Sequence, residues 1–194
     1  MNNYSEKIAI LTGDPNGIGA EITIKALNLL NLPSKDIVLV SNSKIINTYG
    51  KLNNNYEVIE VVYDSRVEFG KVTKEAGDFA FRCLEKACEI KPKFIVTAPT
   101  SKEAMYLAGH NYNGQTEVLE HLLAHDGQKA EMLFVANDFR VLLLTRHVAL
   151  KDIKLTKELI LEKVERLRSF FQNKLYIKKP SFALCALNPH AGEN

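Results

Sequence analysis

Two histidines follow predicted strands and could bind the same metal ion. His147 closes the tripeptide Thr145-Arg-His147 after an apolar run at 141–144, and His190 lies in Asn-Pro-His-Ala-Gly-Glu after another at 182–187. Neutral imidazole is the commonest protein ligand of transition metals. Two rings at one sheet edge could share a divalent cation and leave coordination positions open. The alternative, two unrelated loop histidines, stays open from the spacing.

A second group of polar residues follows the predicted strand 94–97. Lys102 comes directly after the loop 98–101, where its ammonium could hold a phosphate or a carboxylate as a point charge. Gln115 and Thr116 follow in the segment Gly-Gln-Thr-Glu. Thr116 and Glu117 could instead simply begin a helix, because a hydroxyl and a carboxylate are favoured in the first turn. Lys102 could likewise be an ordinary surface lysine. A ligand site and ordinary surface structure are both compatible with this pattern.

A glycine-rich turn, Thr-Gly-Asp-Pro-Asn-Gly-Ile-Gly at 12–19, follows the first predicted strand. Glycines allow positive φ and close backbone approach, and the start of the next helix could attract an anion. The spacing is not that of the dinucleotide fingerprint, because Gly13 and Gly17 are four residues apart. The turn therefore predicts either an anion site or a tight connection without a ligand.

Several familiar motifs are missing from the sequence. His121 and His125 are four residues apart, but Leu122 occupies the place of the glutamate in the zinc-protease motif, and His110 has no assigned role. There is no nucleophilic serine elbow and no P-loop. The three cysteines form no C-x-x-C pair, so structural zinc and a disulfide framework are not expected. Cys83 is predicted to be a packed free thiol, which indicates a reducing cytoplasm.

Composition excludes two classes of partner. The 194 residues are 46% hydrophobic, and 25 basic against 23 acidic residues leave a net charge of +2 without a clustered basic patch. A nucleic-acid partner is therefore not expected. No apolar run approaches the roughly 18 residues of a membrane span, and the first residues do not form a signal peptide. A cytoplasmic protein without a membrane partner is the expectation.

The elements that must position these residues alternate along the chain. Apolar runs predict strands at 7–11, 37–40, 56–62, 94–97, 131–135, 139–144 and 182–187, with Asn137-Asp138 as a hairpin turn between the fifth and sixth. Helical periodicity predicts three longer helices, each with one apolar stripe, and short helices are expected at 102–108 and from 116 onward. The fold class that follows is α/β, a mostly parallel, helix-covered sheet with an antiparallel hairpin.

The three stripes belong to the three longer helices. The first is Ile22, Ala26, Leu29 and Leu30, the second is Val72, Ala76, Phe79, Ala80, Cys83, Leu84 and Ala87, and the third is Ile160, Val164, Leu167 and Phe171. Each set recurs at helical spacing and is expected to face the core. Glu162 and Arg166 are four apart and are expected to form an ion pair on the solvent side of the last helix.

Taken together, these segments resemble the 4-hydroxythreonine-4-phosphate dehydrogenase family. The resemblance rests on five ordered motifs: the turn at 11–21, the loop at 97–102, Gly-Gln-Thr-Glu at 114–117, Thr-Arg-His at 145–147 and Leu-Asn-Pro-His-Ala-Gly-Glu at 187–193. It covers essentially the whole chain. It implies two lobes like those of isocitrate and isopropylmalate dehydrogenases, here 1–97 and 98–194, and a homodimer.

The resemblance also implies an activity. The family oxidises 4-phosphooxy-threonine with NAD or NADP, and loss of carbon dioxide then gives 3-amino-2-oxopropyl phosphate, in vitamin B6 biosynthesis. A divalent cation such as Zn²⁺, Mg²⁺, Mn²⁺ or Co²⁺ lowers the pKa of the substrate hydroxyl. His147 and His190 match two of three metal-binding histidines, Gln115 and Thr116 match substrate-contacting positions, and Lys102 matches a lysine expected to be catalytic.

Two departures from the family pattern shape the expectations. Gln115 replaces the usual histidine of Gly-His-Thr-Glu, and glutamine can hydrogen-bond a substrate but cannot take up a proton near neutral pH. The third metal histidine and most of the cofactor-binding surface are expected downstream of Asn194, so cofactor-binding residues are unknown and the 194 residues alone are expected to show little activity. The alternatives are a sister dehydrogenase for threonate or erythronate 4-phosphate, a non-catalytic binding module, and a plain phosphate-binding domain.

Overall fold

The computed structural model of the protein describes residues 3–124 and 129–185. The chain divides into two compact units, residues 1–130 and residues 131–194. The lobe boundary expected between residues 97 and 98 stays a prediction. Across the described ranges, no helix combines the length and the apolar composition needed to cross a membrane.

The first unit contains a four-stranded parallel sheet, as the apolar runs predicted. Its strands are β1 (Ile8–Leu11), β2 (Ile37–Ser41), β3 (Glu57–Glu60) and β4 (Phe94–Thr97), and their order across the sheet is β3-β2-β1-β4. Every neighbouring pair is parallel. The third strand is shorter than the run at 56–62 that predicted it.

Helices cover both faces of this sheet. They are α1 (Gly19–Leu30), α2 (Ser43–Tyr49), α3 (Lys74–Ile90), α4 (Lys102–Leu107) and α5 (Gln115–Leu123), with a short 3-10 turn at Ser34–Asp36. Alternate residues of β2 belong to two different cores, because successive side chains of a strand point to opposite faces. One core contains Val38 and Val40 with Phe79 of α3, and the other contains Leu39 with Leu27 of α1.

The buried face of α1 differs from the predicted one. The prediction placed Ile22, Ala26, Leu29 and Leu30 in the core, but Leu29 is 86% exposed and Leu30 is 61% exposed. The residues that α1 buries are Gly19, Ala20, Thr23, Ile24 and Leu27. Apolar residues occur almost all round this helix, so more than one stripe has helical spacing, and the sheet selects the one with the smaller side chains near its N-terminus.

The stripe of α3 is confirmed with one exception. Its members from Ala76 to Ala87 are buried, whereas Val72 lies before the helix and is 43% exposed. Thr73 begins the helix by accepting a hydrogen bond from the amide of Ala76 on its hydroxyl. Burial raises the pKa of the Cys83 thiol far above its ordinary value and that of Cys88 to about 11, so both stay protonated packing groups.

The second unit carries the predicted antiparallel hairpin and the last helix. β5 (Leu133–Ala136) pairs with β6 (Phe139–Leu142), a 3-10 turn follows at Leu150–Asp152, and α6 spans Lys157–Asn173. Phe171 of α6 is buried, and the Arg166 guanidinium pairs with Glu162 as predicted. The strand predicted at 182–187 is wrong over residues 182–185, which form no strand, and the remainder lies outside the described residues.

The strand order creates a topological switch point in the sheet. From β1 the chain moves to β2 and β3 on one side, and β4 then returns to the other side of β1. The two strands end level with each other, since Leu11 is the register partner of Thr97. In open α/β sheets, ligands bind beyond the carboxyl ends of the strands at such a point. The loops after β1 and β4 are therefore the ones that position a site.

Candidate functional site

The loop after β4 leads directly into α4. The amide of Ala98 continues the sheet pairing by donating to the Leu11 carbonyl over 3.2 Å. Ser101 then begins α4 by accepting a hydrogen bond of 3.2 Å from the amide of Ala104 on its hydroxyl. This cap fixes Lys102 as the first residue of the helix, with an exposed side chain that forms no ion pair within the described part of the chain.

Gln115 joins the start of α5 to this loop. Its side-chain nitrogen donates to the Ala98 carbonyl and to the Thr100 hydroxyl, both over 3.1 Å. Because a carbonyl oxygen can only accept, the Ala98 contact fixes which end of the amide faces the loop. The amide oxygen of Gln115 is buried and has no hydrogen-bond partner among the described residues.

A cavity of about 280 Å³ lies between the loop after β4, α4 and the start of α5. Its lining combines a cation, a hydroxyl, an amide and two larger apolar or aromatic side chains: Pro99, Thr100, Lys102, Met105, Tyr112, Gly114 and Gln115. Lys102 and Gln115, which the sequence analysis singled out, both line this cavity. Thr116 is the second residue of α5 and is half-buried, but it does not line the cavity.

The glycine-rich turn after β1 packs tightly against the same loop. Gly13 has φ +72°, and a Cβ there would lie 2.3 Å from the Pro99 carbonyl oxygen. A Cβ on Gly19 would lie 2.1 Å from the carbonyl oxygen of Thr12. Both positions therefore exclude larger residues for steric reasons that need no ligand.

Three amides of this turn, those of Asp14, Asn16 and Gly17, are engaged within the protein. Asp14 donates to the Pro99 carbonyl over 3.2 Å, Asn16 to the Asp14 carboxylate over 2.8 Å, and Gly17 to the Asp14 carbonyl over 3.1 Å. The Asp14 carboxylate also makes the turn repel an anion. These contacts favour the tight-turn interpretation over an anion site.

Asp14 itself is a buried carboxylate that the sequence did not single out. It is 6% exposed, and burial raises its pKa against the lowering effect of hydrogen bonds from the amides of Asn16 and Gly17. Its charge contributes to raising the pKa of the Tyr49 phenol, for which burial is the larger cause. Asp14 lies in the turn after β1, next to the cavity loop, but it does not line the cavity.

His110 packs against α3. Its ring lies over that of Phe81 with 3.7 Å between centroids, and its Nε2 is 3.2 Å from a carboxylate oxygen of Asp78. His121 is exposed on α5 and its ring lies 5.6 Å from that of Tyr112. His125 lies outside the described residues. Neither described histidine lines the cavity.

His147 lies in the second unit, in the segment after β6. It is exposed and has φ +55°, a backbone conformation that few residues other than glycine adopt. His190 lies outside the described residues, so the predicted pairing of the two imidazoles stays a prediction. Within residues 3–124 and 129–185, no three His, Cys, Asp or Glu side chains gather into a metal-binding group. His147 offers one exposed imidazole, which suits a divalent cation only together with donors from elsewhere.

Three cavity side chains were not singled out individually from the sequence, although Thr100 lies within the loop at 97–102 that carries part of the resemblance. Thr100 and Tyr112 lie within a few residues of Lys102 and Gln115, and Met105 is one helical turn after Lys102. Proximity in the chain was the available signal for all three. The contact of Gln115 with Ala98 joins residues 17 apart and depends on tertiary folding.

The comparisons with known proteins agree with this architecture. Residues 6–194 match the family model described as pyridoxal phosphate biosynthetic protein PdxA. The chain belongs to this family of α/β proteins.

Its relatives carry two different substrate names. A 4-hydroxythreonine-4-phosphate dehydrogenase from Sulfurihydrogenibium sp. is 33% identical over 97% of this chain, and a D-threonate 4-phosphate dehydrogenase from Salmonella typhimurium is 34% identical over 98%. The crystal structure of a 4-hydroxythreonine-4-phosphate dehydrogenase from Klebsiella pneumoniae superposes with a TM-score of 0.81 at 29% identity over 97% of this chain. The chain spans 65%, 66% and 66% of the lengths of these three proteins.

Proposed function

We propose that this chain contributes the phosphorylated-substrate site of an NAD- or NADP-dependent dehydrogenase that oxidises 4-phosphooxy-threonine with the help of a divalent metal ion. In this proposal the protein acts in the cytoplasm, as a homodimer, in the synthesis of pyridoxine 5'-phosphate. Family membership supports the reaction class. The observation that carries the assignment of the site is the cavity at the switch point, which both Lys102 and Gln115 line.

The chemistry of the cavity suits a small phosphorylated hydroxy acid. Lys102 supplies a positive charge for a phosphate or a carboxylate, and Thr100 and Gln115 supply polar atoms that can orient hydroxyl or amino groups. Met105 and Tyr112 supply apolar walls for the carbon chain. The volume of about 280 Å³ is at the small end of ligand sites, as a four-carbon substrate requires.

His147, together with His190, is proposed to hold the metal ion. The exposed imidazole of His147 after β6 is the structural observation behind this assignment, because neutral imidazole is a common ligand of divalent metal ions. When bound, a divalent cation would stabilise the alkoxide form of the substrate hydroxyl. Thr116, at the start of α5, is proposed to contact the same substrate by its hydroxyl.

The nicotinamide cofactor is assigned to no residue of the described chain. The glycine-rich turn after β1 does not fit a pyrophosphate, because its amides at Asp14, Asn16 and Gly17 are engaged internally and its carboxylate would repel phosphate. The proposal that NAD or NADP accepts the hydride rests on the family alone.

D-Threonate 4-phosphate is the second candidate substrate. The relative named for it is 34% identical to this chain, against 33% for the relative named for 4-hydroxythreonine 4-phosphate, so identity favours neither. The two ligands differ in a hydroxyl or an ammonium at one carbon. Both groups can donate a hydrogen bond, so the glutamine oxygen at position 115 is compatible with either.

Calorimetric binding of both phosphorylated compounds tests the site. We expect Lys102→Ala to weaken binding of the better ligand about tenfold, because a charge-assisted contact to phosphate is lost. Unphosphorylated D-threonate should bind weakly to the unmodified chain and to the variant alike. Lys86→Ala is the matched control, since Lys86 pairs with Glu89 on α3 and does not line the cavity. Equal affinities for Lys102→Ala and Lys86→Ala would remove Lys102 from the site.

A further inference from the structure

The connection between α4 and α5 forms one wall of the cavity. It comprises residues 108–114 and presents Tyr112 and Gly114 to the cavity immediately before Gln115. Within it, the amide of His110 donates to the Met105 carbonyl over 2.9 Å, and that of Tyr112 to the His110 carbonyl over 3.2 Å. His110 thus joins this wall to the end of α4, alongside the amides of Ala108 and Gly109, which donate to the carbonyls of Ala104 and Tyr106.

The same histidine fastens the wall to α3. Its ring is stacked on that of Phe81 at an interplanar angle of 11°. The ring of Tyr112 is stacked on the same Phe81 side chain, with 5.9 Å between centroids. Phe81 is buried and belongs to the core around α3. The two rings of the connection thus share one fixed aromatic support.

A directional hydrogen bond sets the orientation of the histidine ring. Asp78 can only accept as a carboxylate, so Nε2 of His110 carries the proton in the 3.2 Å contact between them. Asp78 is itself held by Nε of Arg82 over 2.8 Å, and the guanidinium also donates to the Val62 carbonyl over 2.9 Å. The carboxylate is therefore held by contacts that do not involve His110.

We propose that His110 is a positioning residue of the cavity. Through its hydrogen bond to Asp78 and its stacking on Phe81, it holds Tyr112, Gly114 and Gln115 in the geometry that binds ligand. This inference rests on the proposed function for the identity of the ligand, but the ordering of the connection by Asp78 is independent of it.

The test separates the hydrogen bond from the packing. His110→Phe keeps a flat ring on Phe81 and removes the donor, whereas His110→Gln restores a donor of similar reach. We expect His110→Phe to accelerate hydrogen exchange of the Tyr112 amide about tenfold and to weaken calorimetric binding of 4-phosphooxy-threonine by a similar factor, the size expected for one charge-assisted hydrogen bond. His110→Gln should return both quantities to within about threefold of the unmodified chain.

His121→Phe is the matched control, because it makes the same substitution at an exposed histidine whose ring also lies near Tyr112. It should leave exchange and affinity unchanged. The proposal is overturned if His110→Phe behaves like the unmodified chain, if His110→Gln fails to restore it, or if His121→Phe has the same effect. Should His110→Phe not fold cooperatively, Asp78→Leu removes the acceptor at similar side-chain volume and is expected to accelerate the same amide.

The two readouts also distinguish this inference from the proposed function. If the unmodified chain binds neither phosphorylated compound, the proposed function fails, and the exchange of the Tyr112 amide still decides the role of His110. If binding occurs but the variants do not change it, the positioning role fails and the proposed function stands.

Discussion

The side chain of Gln115 donates a 3.1 Å hydrogen bond to the carbonyl of Ala98, and this contact ties the start of α5 to the loop after β4. The carbonyl fixes the orientation of the amide, and the amide oxygen is left buried without a hydrogen-bond partner among the described residues. The family histidine that this position resembles could exchange a proton near neutral pH, whereas an amide cannot. In the proposed site, Gln115 is therefore expected to orient the substrate without exchanging a proton with it.

Gln115→Glu tests this contact directly. The substitution places a carboxylate oxygen opposite the Ala98 carbonyl and removes the donor, so we expect the free energy of unfolding in urea to fall by about 1–3 kcal/mol at pH 7. The loss should diminish at acidic pH, where the new carboxyl group is protonated and can donate again.

Gln172→Glu is the control for that substitution. Gln172 also donates to a backbone carbonyl, that of Lys178 over 3.1 Å, but it is exposed. We expect its replacement to change the free energy of unfolding by less than about 0.5 kcal/mol. Similar losses in the free energy of unfolding for the two variants would show that the hydrogen bond from Gln115 to Ala98 stabilises the fold no more than an exposed one does.

The sequence predicted much of the sheet but not every helix face. The strands at Ile8–Leu11 and Phe94–Thr97 and the stripe of α3 followed from apolar runs and from a single strong periodicity. In α1, by contrast, Leu27 and Leu29 both fit a helical stripe, and only the position of the sheet decides that Leu27 is buried. Local patterns cannot resolve that choice.

The candidate site, like the fold, could be predicted from the sequence only in part. Lys102 was recognisable because it follows a predicted strand and loop, and Gln115 because it lies in the segment Gly-Gln-Thr-Glu, which resembles the family motif. Both residues line the cavity. The bond from Gln115 to Ala98 was not predictable, because it depends on how α5 packs after the chain has folded. The burial of Asp14 was not predictable either, since a carboxylate in a glycine-rich turn is usually solvated.

The buried carboxylate of Asp14 gives stability a defined pH dependence. Burial raises its pKa above the ordinary value of 3.8, so the folded protein binds this proton more tightly than the unfolded chain does. The stabilisation of the folded state by this proton is fully present at pH values below the ordinary pKa of 3.8, and it is lost as the pH rises through the pKa of Asp14 in the folded protein. We therefore expect Asp14→Asn to gain stability relative to the unmodified protein as the pH is raised from about 4 to 7, measured by urea unfolding.

Glu57→Gln should show the opposite trend. The side chain of Lys7, and then that of Tyr4, lower the pKa of Glu57 by hydrogen bonding, so its stabilisation is present above its ordinary pKa and is lost as the pH falls. This variant should lose relative stability as the pH rises from about 3 to 6. A flat or falling difference for Asp14→Asn over its range would contradict the role of burial.

His147 is expected to bind divalent cations. A ligand that binds only the folded state raises its stability, so Zn²⁺ or Mn²⁺ at millimolar concentration should raise the thermal midpoint of the unmodified chain. His147→Ala should abolish most of that rise, and His121→Ala, which removes an exposed histidine of α5, should not. Equal rises in all three proteins would exclude His147 as a ligand.

NADH formation with 4-phosphooxy-threonine tests the proposed function most directly. The protein at its full encoded length should reduce NAD or NADP in the presence of Mn²⁺, lose this activity when the metal is removed with EDTA, and act on 4-phosphooxy-threonine with a higher kcat/KM than on D-threonate 4-phosphate. Lys102→Ala should lower kcat/KM at least tenfold, in keeping with the loss of a charged contact to the substrate. A metal-replete protein that reduces neither cofactor with 4-phosphooxy-threonine or with D-threonate 4-phosphate would contradict the proposal.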